Sequence, residues 1–126
     1  MKKTLLGTVI FILLLAGVGW WAFSNSKPKV AVASYDEFAK CLQAKGVTMY
    51  GAAWCPHCQN EKKTFGTSFQ YVPYVECPDN PQACSAKGVE SYPTWIMPSG
   101  EKLVGEQDTN GFKDLAAKSS CPLPNK

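Results

Sequence analysis

The sequence predicts an α/β fold, a mixed four-stranded sheet with helices on both faces, placed after one N-terminal transmembrane helix. Three observations predict it. An uncharged, mostly apolar run of 19 residues, Leu5 to Phe23, precedes a stretch of ordinary globular composition. From Ser34 onward the patterns alternate in the order α, β, α, β, α, β, β, α, with no internal repeat. Within that alternation a strand-like run, Met49-Tyr50-Gly51-Ala52-Ala53, passes directly into Trp54-Cys55-Pro56-His57-Cys58 and a helical pattern.

The N-terminal run nearly spans a hydrocarbon core of about 30 Å at about 1.5 Å per residue. Lys2 and Lys3 flank its start, and Trp20 and Trp21 stand at its end, where indoles prefer the interface. The positive-inside rule leaves the lysines in the cytoplasm and exports the chain beyond Ser24. Residues 1–23 are thus expected to be a stub and anchor, 24–33 a tether, 34–122 the domain and 123–126 a tail. The expected location is the cell membrane, single-pass, with the domain on the extracytoplasmic side. A cleaved signal peptide is the competing reading, since Ala31-Val32-Ala33 offers an A-x-A site, and a buried core helix is a third. The net charge of +3 is partly carried by the membrane flanks, and no basic run tracks phosphates, so no nucleic-acid partner is expected.

Ser34-Tyr35-Asp36-Glu37 has the form of a capping box, and Phe38, Cys41 and Leu42 recur at helical spacing up to Gly46. Val47 to Ala52 reads as the first strand. The helix after the Cys-Pro-His-Cys turn carries Lys62, Lys63 and Phe65 and ends near Gly66; its lysines are either a solvated face or a partner contact. Tyr71 to Val75 has strand propensity, with Pro73 marking an edge or a strand start. Asp79-Asn80-Pro81 opens a short helix over Gln82 to Lys87, stopped by Gly88. Ser91 to Met97 reads as turn and strand, Pro98 to Glu101 as a hairpin turn, and Lys102 to Gly105 as its second strand. Thr109 or Asn110 caps a last helix through Phe112, Leu115 and Ala116.

The chemistry is concentrated at Cys55 and Cys58. Pro56 suits a first helical turn, where its missing N–H had no partner to lose. Cys55 then lies at a helix N-terminus, where free N–H groups and the macrodipole favour an exposed thiolate. Cys58 returns to the same face and can close a short disulfide with it. The thiolate exchanges with a foreign disulfide, and the second thiol resolves the mixed disulfide. Half a zinc site has the same spacing, but His57 is the only histidine and sits inside the motif. No metal or other cofactor is expected.

Trp54-Cys55-Pro56-His57-Cys58, together with Tyr92-Pro93-Thr94 placed 35 residues after Cys58, resembles the thioredoxin-fold thiol-disulfide oxidoreductases. The stretch Met49 to Gly66, Cys77 and Cys84, and Lys87 to Trp95 resemble more closely the thioredoxin-like domain associated with bacterial and plant homologues of vitamin K epoxide reductase. The resemblance covers about Ser34 to Cys121. It implies a thioredoxin-like fold, catalysis by Cys55 and Cys58, and a cis peptide bond before Pro93 that turns the Tyr92 backbone toward them. A trans proline at a strand start is the alternative. It also implies a domain that oxidises thiols of secreted proteins and passes the electrons to a membrane homologue of that reductase on a separate chain. Where many thioredoxins carry a buried acid on the strand six residues before the first cysteine, this chain has Met49. The proton relay of a reductase is therefore not provided at that position, which agrees with an oxidising role.

His57 either stabilises the Cys55 thiolate and moves the pair toward the oxidising end, or is polar surface. Trp54 is either an apolar lip for substrate or a packed indole. The four other cysteines allow three pairings. Cys77 with Cys84 matches two cysteines of the resembled family, and Cys41 with Cys121 would tie the first helix to the tail. Both pairs are expected to be structural, with a relay role for Cys77 and Cys84 as the rival. Two other functions stay open beside the oxidant: a thiol reductase or isomerase of the same compartment, and a copper or zinc carrier using Cys55 and Cys58.

Overall fold

The computed structural model describes residues 34–125, and the expected anchor and tether lie outside them. No described helix is long and apolar enough to cross a membrane. The elements come in the expected order: α1 (Asp36–Ala44), β1 (Thr48–Gly51), α2 (Pro56–Phe65), β2 (Tyr74–Glu76), α3 (Pro81–Ala86), β3 (Thr94–Ile96), β4 (Lys102–Val104) and α4 (Lys113–Ser119). The strands make one mixed sheet in the order β2-β1-β3-β4. β1 runs parallel to β2 and antiparallel to β3, and β3 runs antiparallel to β4. This is a thioredoxin-like α/β fold.

Side chains alternate across a pleated strand, and that alternation divides the core in two. Met49 and Trp95, paired across β1 and β3, join one face with Phe38, Leu42, Phe65, Phe112 and Leu115. Phe65 is at its centre, with ring centroids 4.5 Å from Phe112 and 6.0 Å from Phe38. Tyr50 and Ile96, the next residues along, point to a smaller cluster with Cys77 and Cys84. The helices that carry these residues therefore cover opposite faces of the sheet.

Three local expectations change. The capping box does not form: α1 starts at Asp36 with Tyr35 at the N-cap, and Glu37 pairs with Lys40 at 3.1 Å instead of reaching back. Ser34 Oγ accepts only the Asp36 N–H, at 3.3 Å, while the Asp36 carboxylate accepts the buried Ser68 hydroxyl at 2.6 Å. Tyr71 and Val72 are not strand residues. A 3₁₀ helix over Gly66–Tyr71 continues from α2, and β2 begins after Pro73, whose carbonyl accepts the Met49 N–H at 2.9 Å. The last helix begins at Lys113 with buried Phe112 at its N-cap; Asn110 still helps, since its Oδ1 accepts the Lys113 N–H at 3.1 Å.

Two disulfides join Cys77 to Cys84 and Cys41 to Cys121, the pairs expected from the sequence. The second ties α1 to the end of α4. Lys45 acts at the same junction, donating to the carbonyls of Ser119 and Ser120 at 2.8 Å each. Cations and donors at a helix C-terminus satisfy its free carbonyls.

Candidate active site

β1 delivers the chain to the cysteine turn, and the turn is held by named hydrogen bonds. Cys55 N donates to Ala52 O at 3.1 Å, and Gln59 N donates to Cys55 O at 3.0 Å as the first turn of α2. Cys55 is the extended N-cap and Pro56 the first helical residue, as its fixed φ and missing N–H favour. Ala53 N donates to Glu76 Oε1 at 2.7 Å, and Gln59 Nε2 donates to Ala53 O at 2.7 Å. The loop is thereby fastened to β2 on one side and α2 on the other.

Cys55 and Cys58 are the free cysteines among the described residues. Cys55 was expected to be exposed, yet it retains only 5% of its accessibility. The peptide bond between Tyr92 and Pro93 is cis, and the Tyr92 carbonyl reaches to 3.7 Å from Cys55 Sγ. Pro93 itself is buried. Cys58 is fully enclosed, and burial pushes its thiol up to about 12. Gly51 has room for no side chain there: a Cβ at that position would stand 2.7 Å from Cys58 Sγ and 3.3 Å from the Tyr74 hydroxyl.

Trp54 is 68% exposed and meets Tyr92 edge to face at 6.0 Å. The two rings flank the cysteine turn as an apolar rim. For His57 the sequence leaves open service to the Cys55 thiolate or a place on the polar surface, and the structure places its Nδ1 2.5 Å from Glu106 Oε2, in the loop after β4. That bond holds the Glu106 carboxyl below its usual range. Lys62 does more than face solvent, since its Nζ stands 3.7 Å over the Tyr74 ring.

Over 92 residues the chain is 39% identical to the thiol-disulfide oxidoreductase LTO1 of Arabidopsis thaliana. The chain is similar to a thiol-disulfide oxidoreductase. The aligned part is 66% of this chain and 23% of that relative, so the chain spans less than a quarter of the relative's length. Among solved structures, the thioredoxin of Plasmodium falciparum aligns over 73% of this chain and 88% of its own, with 17% identity and a TM-score of 0.45. No protein-family model matches the chain.

Glu61 was not singled out from the sequence. It is fully buried on α2, accepts the Trp95 indole N–H at 2.9 Å on Oε2 and accepts the Gln107 backbone N–H on Oε1. Burial raises its carboxyl to about 7. The signal was present as a charged residue in the inward stripe Cys58, Glu61, Phe65 of the helix.

Proposed function

We propose that the protein is a thiol-disulfide oxidoreductase whose Cys55–Cys58 pair oxidises thiols of secreted proteins. The observation that carries this reading is the placement of two free thiols at the start of α2, with the Tyr92 carbonyl beside Cys55 Sγ. A substrate thiolate attacks Cys55 Sγ in the oxidised pair, the Cys55–Cys58 bond breaks, and Cys58 leaves as a thiolate that takes up a proton. A second substrate thiolate then attacks the substrate sulfur of the mixed disulfide and releases the Cys55 thiolate. Two electrons pass to the protein, and a substrate disulfide is formed. The Trp54–Tyr92 rim and the backbone at Tyr92 and Pro93 would receive an extended apolar segment around the substrate cysteine.

In this reading an N-terminal helix anchors the domain on the extracytoplasmic side of the cell membrane. The electrons leave to a membrane homologue of vitamin K epoxide reductase, in keeping with the family the sequence resembles. The 39% identity to a thiol-disulfide oxidoreductase supports the chemistry. The 2.5 Å His57–Glu106 contact favours a second reading, a reductase or isomerase, because an imidazole held by a carboxylate has less to offer the Cys55 thiolate.

Equilibration with glutathione redox buffers separates the two. An oxidant gives a reduction potential toward about −120 mV and forms disulfides in a reduced secreted protein; a reductase lies nearer about −270 mV. A potential at the reducing end, with no oxidation of protein thiols, would overturn the first reading.

A further inference from the structure

We propose that Glu61 is the proton acceptor and donor for the Cys58 thiol, a buried carboxyl one turn along α2 that takes the proton when Cys58 attacks and returns it when Cys58 leaves. The proposal rests on the exchange chemistry above and concerns the proton that this chemistry must move. Cys58 and Glu61 are three residues apart in α2 and both fully buried, so their side chains share its inward face. Such neighbours have Cβ atoms about 5–6 Å apart, within reach of a carboxyl or of one bridging water.

A carboxyl in a core is costly without partners, and this one is held from two sides by the Trp95 indole and the Gln107 N–H. Neither partner is a cation, and no ion pair among the described residues includes Glu61. The titratable groups around the two side chains are Cys55 and Tyr74 on the β1–β2 side, with Glu76 behind Tyr74 on its hydroxyl, and Glu106 and Asp108 after β4. His57 and Lys62 are engaged elsewhere, by Glu106 and by the Tyr74 ring. The negative groups after β4 favour the protonated carboxyl, as burial does, and together they bring Glu61 to about 7. Near neutral pH both of its forms are therefore populated, which a proton exchanger needs.

Cys58 cannot ionise unaided, since its thiol is pushed up to about 12 and its sulfur has no access to solvent. When Cys55 is joined to a foreign sulfur, the Glu61 carboxylate takes the Cys58 proton. The Cys58 thiolate attacks Cys55 Sγ, the Cys55–Cys58 bond forms, the mixed disulfide breaks, and the foreign sulfur departs as a thiolate. In the opposite direction Cys58 leaves as a thiolate and receives the Glu61 proton.

The rival route runs through the Tyr74 hydroxyl, which borders the same gap at Gly51, to the Glu76 carboxylate. That hydroxyl already donates to Glu76 at 2.5 Å, and the Glu76 carboxyl is held below its usual range. A proton sent that way ends on a weaker base than Glu61.

Stopped-flow mixing of the Cys55/Cys58-reduced protein with dithionitrobenzoate, an aromatic disulfide that releases a coloured thiolate, tests the proposal. Attack by Cys55 releases the first equivalent, and resolution by Cys58 releases the second. In the wild type the second phase should rise with pH to a plateau with its midpoint near 7, the Glu61 range. Glu61→Gln should slow that phase about a hundredfold near neutral pH, abolish the plateau and leave the first phase within about twofold. Glu61→Asp should recover part of the rate. A merely structural Glu61 would lower the melting temperature without removing the plateau. A second phase within about twofold of wild type in Glu61→Gln overturns the proposal. So does a wild-type profile without an inflection between about pH 6 and 8, which decides the matter even if the variant fails to fold. Slowing by Tyr74→Phe and not by Glu61→Gln overturns the proposal and routes the proton through Tyr74 to Glu76. Absence of both phases in the wild type overturns the exchange reading along with this one.

Discussion

His57 Nδ1 and Glu106 Oε2 lie 2.5 Å apart, so the single histidine of the chain commits that nitrogen to the loop after β4 and not to the Cys55 sulfur. A hydrogen-bond donor near a thiolate stabilises the reduced form of a cysteine pair, and a carboxylate that engages the ring carrying that donor offsets the effect.

The first prediction concerns that contact. Glu106→Gln should raise the reduction potential of Cys55–Cys58 by about 15–30 mV, where 30 mV corresponds to about 1.4 kcal/mol. His57→Ala should change it less, and the double variant should lose most of the Glu106→Gln gain. Potentials measured against glutathione check all three. A larger shift in His57→Ala than in Glu106→Gln would return the imidazole to direct service of the thiolate.

Gly51 carries the second. With Cys58 Sγ only 2.7 Å from where a Cβ would stand, Gly51→Ala must displace the thiol or the β1 backbone. Overpacking of this kind costs about 1–3 kcal/mol, read in denaturant melts. Formation of the Cys55–Cys58 disulfide should also slow, because its buried sulfur is the atom displaced. Normal stability and normal exchange in Gly51→Ala would show that the turn relaxes around the added methyl.

The third prediction separates the disulfides from the redox pair. Cys41–Cys121 closes a loop of 80 residues and Cys77–Cys84 one of 7. By the chain-entropy model these contribute about 4.5 and about 2.5 kcal/mol. Replacing Cys41 and Cys121 together should lower the melting temperature clearly and leave exchange with a small disulfide near wild type below that temperature. Replacing Cys55 should abolish exchange and leave melting nearly unchanged. Exchange lost in the Cys41/Cys121 variant while the fold survives would mean that this pair carries electrons.

Each residue was legible in proportion to the signal its type and spacing leave. The order of elements was legible because Met49, Tyr50, Trp95 and Ile96 alternate between two cores, and Phe38, Cys41 and Leu42 recur at helical spacing. The two thiols at the start of α2 and the cis bond before Pro93 were legible because a few residue types at fixed spacing mark them. Tyr71 and Val72 misled because β propensity is a weak preference, and the chain from α2 completes a 3₁₀ turn before Pro73 resets it. Glu106 was illegible: it lies 49 residues from His57, and only the return of β4 brings the two together. Glu61 was hidden by its own type, since a glutamate on a helix is ordinarily solvated.

Glu61 supports the last prediction, which concerns stability and pH. Its carboxyl is raised from the ordinary 4.5 to about 7 in the folded protein, because burial penalises the charged form more than the Trp95 and Gln107 hydrogen bonds repay it. Between these two values the native state holds a proton that the unfolded chain has released. Stability from this group is therefore complete below about pH 4.5 and is lost as pH rises toward and through about 7. The loss amounts to about 3 kcal/mol over that window. Carboxyls held low by their partners, Glu76 and Glu106 among them, act in the opposite sense and at lower pH. The contribution of Glu61 is isolated by subtraction: urea melts of the wild type and of Glu61→Gln from pH 4 to 8 should give a stability difference that shifts in favour of the variant by about 3 kcal/mol as pH rises. At pH 8 the wild type carries a buried charge, whereas the variant carries a neutral amide that still accepts one of the two hydrogen bonds. A difference independent of pH would mean that Glu61 keeps an ordinary carboxylate pKa inside the core.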